Sequence, residues 1–411
     1  MQQNNDTRLS LNDVYQPEYV ANPYKLYHRL RKADPVFWDE QLGGWVLTSY
    51  NDVVAMLRDP RFSAQRFVTD KEWMPTDMVE ALGSPMRALT RQMLFLDPPD
   101  HTRLRGLVSK AFTPRVIEGL REHIQQIVDD LLDKALPQGH INLIQEFTYP
   151  LPAIVIAEML GVPPEDREIF FKWTNDFGTI LDGGELTQEQ LVQAFMGVSE
   201  FMDYFRQIIA QRRTQTKDDV IQALITAEEG GSMLSEEELL GNCILLLAAG
   251  HGTTTHLLGN GMLALLRNPT QYQLLKEQSD LLQLAVMELL RYDGPVQVTA
   301  RKAKENLVLR DKKIEAGQNV YAVLGAASHD PAQFADPDRL DIQRAENRHL
   351  AFGQGIHYCL GAPLARLEAE IALGALIRRL PAPRIENEAE VEFFPAMIFR
   401  GLNELPLTLG S

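Results

Sequence analysis

From Leu239 to Leu266 the chain reads "LLGNCILLLAAGHGTTTHLLGNGMLALL", 28 residues without one Asp, Glu, Lys or Arg. As a helix this stretch would run ~40 Å at ~1.5 Å per residue, long enough to cross a bilayer. It also holds two His, three consecutive Thr, two Asn and five Gly, and polar groups at membrane depth are costly. The expectation is a long helix buried inside a protein rather than a membrane span. Ser235, with Glu238 three residues on, has the pattern of a capping box that starts such a helix.

A helix without a charged face needs other elements all round it. "IEGLREHIQQIVDDLLDKAL" repeats apolar residues at three and four, and most of the chain has this helical period. "PVFWDEQ" and "WVLTSY" flank Leu42-Gly43-Gly44 as a hairpin, and "NLVLRDKKIEAGQNVYAVLG" reads as two more strands. The expected class is mainly α with small β-sheets. Residues 1–411 read as one domain, a helix-rich body with a small N-terminal β-rich part. Composition fits an ordinary globular protein, 45% apolar and 23% charged. Forty basic and 56 acidic residues give a net charge of −16, which disfavours nucleic acid as a partner. Two cysteines, Cys243 and Cys359, make no disulfide framework. The polar start "MQQNNDTRLS" lacks a signal-peptide pattern, so the cytoplasm is the expected location.

Cys359 has unusual surroundings. Glycines stand at 353, 355 and 361, and His357 lies two residues before it. Leu360, Leu364, Leu367 and Ile371 follow at spacings of 4, 3 and 4, one helix face ended by Pro381, with Pro363 suited to the first turn. The cysteine therefore sits in a glycine-rich loop at a helix N-terminus, where free N–H groups and the helix dipole favour a thiolate. A zinc site would need a CxxC or a His/Cys set at ligand spacing, and none is near. A Cys–His hydrolase would need a third, orienting group. A buried inert cysteine would leave the glycine loop unexplained. A further reading is an axial thiolate on heme iron.

The stretch "FGQGIHYCLG", Phe352 to Gly361, resembles the heme-binding loop of the cytochrome P-450 superfamily, F-x-x-G-x-[HR]-x-C-x-G. The resemblance runs from "NPYKLYHRLRKADPV" to "FRGLNELPL" and is to soluble, bacterial-type members. It implies that fold, with heme b between the long central helix and the Cys-loop helix. Cys359 becomes the metal ligand, and Phe352, Gly353, His357 and Gly361 belong to the heme-binding loop. In "AAGHGTTTH" it aligns Ala249, Gly250, His251, Gly252, Thr253 and Thr254 with the oxygen-activating A-G-x-[DE]-T-T, Thr253 being the proton-delivering alcohol. The acid of that motif is Gly252 here, so protons must come by water, substrate, or a group such as His251 or His256.

"ELLR" contains Glu288 and Arg291, which by spacing alone is a surface i,i+3 pair. The resemblance makes it the E-x-x-R brace, joined through Arg339 in "FADPDRLDIQR". "DPPDHTRLRGLVSKAFTPR" has four Lys or Arg and no acid between His101 and Arg115. His101 and Arg105, at i,i+4, are implied to hold heme propionates with Arg301 and His357. Outward cations, Arg103, Lys110, Arg115, Arg344 and Arg348, would dock an acidic electron donor.

The expected activity is that of a heme-thiolate monooxygenase. It would insert one atom of dioxygen into an apolar organic substrate such as a secondary metabolite, terpenoid, steroid or fatty acyl chain. A ferredoxin or flavodoxin-type partner would supply electrons to a monomer. Alternatives are a peroxide-using or otherwise atypical heme-thiolate enzyme, a heme sensor or gas carrier, and a Cys-dependent hydrolase. Candidate pocket walls are Phe67, Trp73, Phe177, Ile180, Leu181, Val296, Val298 and Ile398.

Overall fold

The structure, a computed structural model, describes residues 9–66, 76–163, 166–182, 187–217, 219–229 and 232–410. The uncharged stretch is the middle of a 32-residue helix, Glu236–Arg267. Ser235 accepts the Glu238 N–H and the Glu238 carboxylate accepts the Ser235 N–H, so the capping box is present. Its two asparagines are cross-links. Asn242 donates to the Glu238 carbonyl (2.7 Å) and accepts from the Met93 amide (3.2 Å). Asn260 donates to the carbonyls of Asp293 and Arg400. Its glycines allow close approach: a Cβ at Gly241 would meet the Ala88 carbonyl oxygen at 2.3 Å, and one at Gly259 the Ile144 Cδ1 at 2.6 Å. Among the described residues no helix is long and apolar enough to cross a membrane.

The labelled helices are α1 (Tyr24–Ala33), α2 (Tyr50–Arg58), α3 (Asp100–Ser109), α4 (Pro150–Met159), α5 (Arg167–Asp182), α6 (the central Glu236–Arg267), α7 (Leu282–Asp293), α8 (Leu324–Ser328) and α9 (Ala362–Arg379). Helix α6 packs on α4, α5, α7 and α9, and these share the main apolar core.

The hairpin forms β1 (Val36–Asp39) and β2 (Gly44–Leu47), with Gly43 at φ +58° in its turn. Asp39 is buried and ties in the chain start by accepting from the Ser10 hydroxyl and the Leu11 amide. The second β region holds three strands where the sequence suggested two. After β3 (Phe62–Ser63) and β4 (Val298–Ala303) come β5 (Leu307–Leu309), β6 (Lys312–Ile314) and β7 (Asn319–Val323). β5 and β6 pair only with each other, because the Arg310 turn (φ 54°) closes a separate hairpin. The five-stranded sheet runs β1-β2-β7-β4-β3, with β7 parallel to β2 and the other neighbours antiparallel. Half of it therefore comes from residues 298–323. The expected N-terminal β-rich part is corrected to a sheet shared between both ends of the chain.

Candidate heme site

Helix α6 is buried along most of its length except for a window at its centre. Ala249 is exposed and Gly250, Gly252, Thr253 and His256 are half-buried, while His251, Thr254 and Thr255 are buried. At about 100° per residue, Ala249, Gly252, Thr253 and His256 share one face. Among the described residues a Cβ at Gly252 would meet nothing within 4 Å, so toward them this glycine opens onto free space. Gly250 faces the other way, against Ile156 of α4. The Thr253 hydroxyl donates to the Ala249 carbonyl at 2.7 Å. His251 lies on the opposite face, edge-on to Tyr149 at 4.3 Å, which corrects its grouping with Thr253. Burial pushes His251 down to about 3 and His256 to about 4, so both rings are neutral.

The cysteine loop has the backbone its glycines allow. Gly353 and Gly355 take φ of +68° and +73°, a region costly for any residue with a Cβ. At Gly355 a Cβ would also strike the Leu57 carbonyl at 2.5 Å, so the loop is seated on α2. The Cys359 amide donates to the Phe352 carbonyl at 2.9 Å. The next turn starts α9, with Pro363 in its first turn and Leu364, Leu367 and Ile371 buried. Burial raises the Cys359 thiol. The Gly361 and Ala362 amides, with Arg105 and Arg366, pull it back.

Beside the loop is a cluster of cations and rings. His101 and His357 lie ring to ring at 4.2 Å. Arg105 donates to the Tyr358 carbonyl (2.6 Å), and Arg301 to the Ala300 carbonyl (2.8 Å). Both nitrogens of His101 and Nε2 of His357 are buried without a partner among the described residues. Burial holds His101 at about 4, His357 at about 3 and Arg301 at about 10, and lowers Arg105. Asp97, the acid nearby, is already held by Ser63, the Ala64 amide and Lys304. Buried donors without acceptors are rare in finished structures, so this donor set fits a bound dianion such as the two carboxylates of heme b. Sequence reasoning missed Arg66, which donates to the Ala300 carbonyl at 3.1 Å. Burial and Arg301 lower it to about 9. No motif marks it. Only the pairing of β3 with β4 brings it beside Arg301.

Glu288 and Arg291 are fully buried and bidentate, at 2.8 Å twice. Arg291 also donates to the carbonyls of Ser328 and Pro337. The third partner is corrected from Arg339 to Arg344. The Arg339 side chain turns outward to Asp336 and Asp341, and only its carbonyl reaches Arg291. The Arg344 guanidinium lies on Glu288 at 3.1 Å. Arg344 is thereby removed from the outward cations. So is Arg103, which pairs with Glu238 at the start of α6. Lys110, Arg115 and Arg348 are exposed.

Of the pocket picks, Phe67 and Trp73 lie outside the described residues. Phe177 and Ile180 on α5 are buried in the main core, with Leu181 packed against it. Val298 is buried in a smaller core that also holds Val46 and Val323. Val296 and Ile398 are brought together, since Val296 pairs with Phe399 and the Gln297 amide donates to the Ile398 carbonyl at 2.8 Å.

Comparison with known proteins bears on the family and the fold. The family model described as Cytochrome P450 matches residues 45–383. Cytochrome P450 CYP107DY1 of Priestia megaterium is 42% identical, over 97% of this chain and 99% of its own. The polyketide biosynthesis cytochrome P450 PksS of Bacillus subtilis is 40% identical, over 96% and 97%. The structure of P450BioI in complex with hexadec-9Z-enoic acid ligated acyl carrier protein superposes with a TM-score of 0.89 at 37% identity, covering 96% of this chain and 100% of that one. The chain belongs to the cytochrome P450 family, monooxygenases that bind heme b through a cysteine thiolate.

Proposed function

We propose that Cys359 is the heme ligand, that His101, Arg105, Arg301, His357 and Arg66 hold the propionates, and that the enzyme oxygenates an extended apolar substrate. The observation that carries this reading is the open face of α6 at Ala249 and Thr253, together with a buried donor cluster whose histidine nitrogens meet no partner among the described residues. When bound, the heme supplies dioxygen activation and the transfer of one oxygen atom to carbon. The protein's residues do the rest. Gly361 and Ala362 amides stabilise the Cys359 thiolate. The Thr253 oxygen, its hydrogen engaged by Ala249, accepts a proton donor from the open face. Space at Gly252 admits water or substrate where relatives of the motif carry an acid. A polyketide-derived or fatty acyl substrate is supported by the names of similar proteins. We assign electron supply to a separate acidic ferredoxin or flavodoxin-type protein that meets a monomer in the cytoplasm at Lys110, Arg115 and Arg348. Gly252 also favours a second reading, a peroxide-driven enzyme.

The test is the reduced CO spectrum and product formation of the parent and of Cys359→His. The parent should have the red-shifted thiolate Soret band. The variant should lose both this band and oxygenation. Undiminished hydroxylation by Cys359→His would overturn the ligand assignment. Product formed with hydrogen peroxide at a rate matching the reductant-driven reaction would favour the second reading.

A further inference from the structure

Away from the heme site, His28 on α1, His329 just after α8, and Asp338 bring two ring nitrogens and a carboxylate oxygen within 4.8 Å of one another. His329 is buried, His28 half-buried and Asp338 exposed. Nε2 of His329 lies 2.9 Å from the Tyr292 carbonyl oxygen. A carbonyl only accepts, so this nitrogen carries a hydrogen. Nδ1 of the same ring lies 2.9 Å from Asp338 Oδ1. In a neutral ring that nitrogen would be a bare lone pair against a carboxylate. The other neutral tautomer moves the same conflict to the carbonyl. Neither neutral tautomer satisfies both contacts, so either the ring holds a second proton or, with the hydrogen on Nε2, a metal cation lies between Nδ1 and Oδ1.

Two imidazoles and a carboxylate could hold a transition metal. Arg31 argues for a different cation. It donates from Nη2 to His28 Nδ1 at 2.6 Å, so the hydrogen of His28 is on Nε2, which donates to Asp338 Oδ1 at 2.8 Å. A metal on Nε2 would force that hydrogen onto Nδ1, against the guanidinium. A proton on His329 satisfies every group at once. Its two N–H bonds go to Tyr292 and Asp338, and His28 and Arg31 stay as they are.

We propose that His329 is held as an imidazolium paired with Asp338, a proton-dependent clamp that fastens α1 to the segment anchoring Arg291. The connection is direct. Ser328 and Pro337, the residues before His329 and Asp338, give their carbonyls to Arg291 at 2.9 and 2.8 Å. The groups facing His329 come from each side. Tyr24 of α1 stacks on it at 4.0 Å, where an aromatic face favours a cation. His28 and Arg31 lie on the same helix, and Asp330 sits 4.0 Å from Arg31. Burial, the largest influence, and the Arg291 charge push this ring's pKa down on balance, against the Asp338 and Tyr292 bonds that favour the charged ring. What calls for the second proton is the geometry, an acceptor within 2.9 Å of each ring nitrogen. Asp338 is itself held down to about 2, first by His329 and then by His28.

The sign follows from the pairing. A histidine raised above its unfolded value of about 6.5 stabilises the fold fully below that pH. It loses that contribution as pH rises through the folded value. The test is nitrogen NMR of the histidine-labelled holoprotein, with His329 assigned by its absence in His329→Gln. At pH 7 both its nitrogens should be of the N–H type, and they should titrate above 7.5. Should His329→Gln not fold, Asp338→Asn, an exposed change, shifts the same signal. The folding constant of the parent relative to Asp338→Asn should fall at least threefold between pH 6.5 and 9. A pyridine-type nitrogen on His329 at pH 7, or a ratio flat across this range, overturns the proposal. Tight Zn²⁺ binding at pH 7 that His28→Ala abolishes would overturn it too, and identify the cation as a metal.

Discussion

Thr253 engages its only hydrogen one turn back, on the Ala249 carbonyl, and so presents lone pairs to the open face of α6. Beside it Gly252 offers neither a carboxyl nor a clash. In the proposed reading, proton supply at this site would depend on one hydroxyl and whatever fills the free space. Thr253→Ala should raise hydrogen peroxide released per electron pair severalfold, and Thr253→Ser should restore most of the coupling. Product, peroxide and reductant measured together decide this, and unchanged coupling in Thr253→Ala would remove Thr253 from the proton path. Gly252→Glu has room for its Cβ and should keep its heme. If the gap is only a missing acid, product per electron pair should rise. If instead the substrate-induced spin shift disappears, the space belongs to the substrate. A carboxyl in this apolar setting is raised in pKa, so any gain should grow toward higher pH.

The elements differ in how far their roles can be read from sequence. The glycines at 353 and 355 mark the cysteine loop because a positive φ is a property of single residues. The capping box and Pro363 mark helix starts for the same reason. The spacing of Glu288 and Arg291 says nothing about burial, since a solvated helix face has the same i,i+3 pattern. What surrounds the pair is set by a segment some 50 residues on, which supplies Arg344 to Glu288 and carbonyls to Arg291. Arg339 and Arg344 stand five apart in one polar run, and only the folded path of that run tells them apart. Removing one member of a buried ion pair costs about 3–5 kcal/mol, while exposed pairs contribute about 0–1 kcal/mol. Arg344→Ala should therefore destabilise by several times more than Arg339→Ala and lower heme content, as read by denaturant unfolding and the heme-to-protein absorbance ratio. Equal losses would restore Arg339 as the brace.

At the scale of the whole molecule, charge bears on the proposed approach of an acidic redox partner. The chain carries −16 overall, yet Lys110, Arg115 and Arg348 are exposed, as are Ile356 and Tyr358 of the cysteine loop. Attraction over such a patch is screened within about 10 Å at 0.1 M salt. Electron transfer from an acidic ferredoxin should slow several-fold between low and moderate salt. Lys110→Glu and Arg115→Glu should weaken partner binding and leave the substrate-induced spin shift intact. A flat salt response in both would remove the patch. The shared sheet bears on synthesis as well. β2 ends at Leu47 and its parallel partner β7 begins at Asn319. A ribosome adding about 5–20 residues per second delivers that partner roughly 14–54 s after the hairpin emerges. Throughout this interval the β2 edge carries unpaired amides and carbonyls, the kind of surface that recruits other strands. Any stall in translation before residue 319 leaves that edge open to a neighbouring nascent chain.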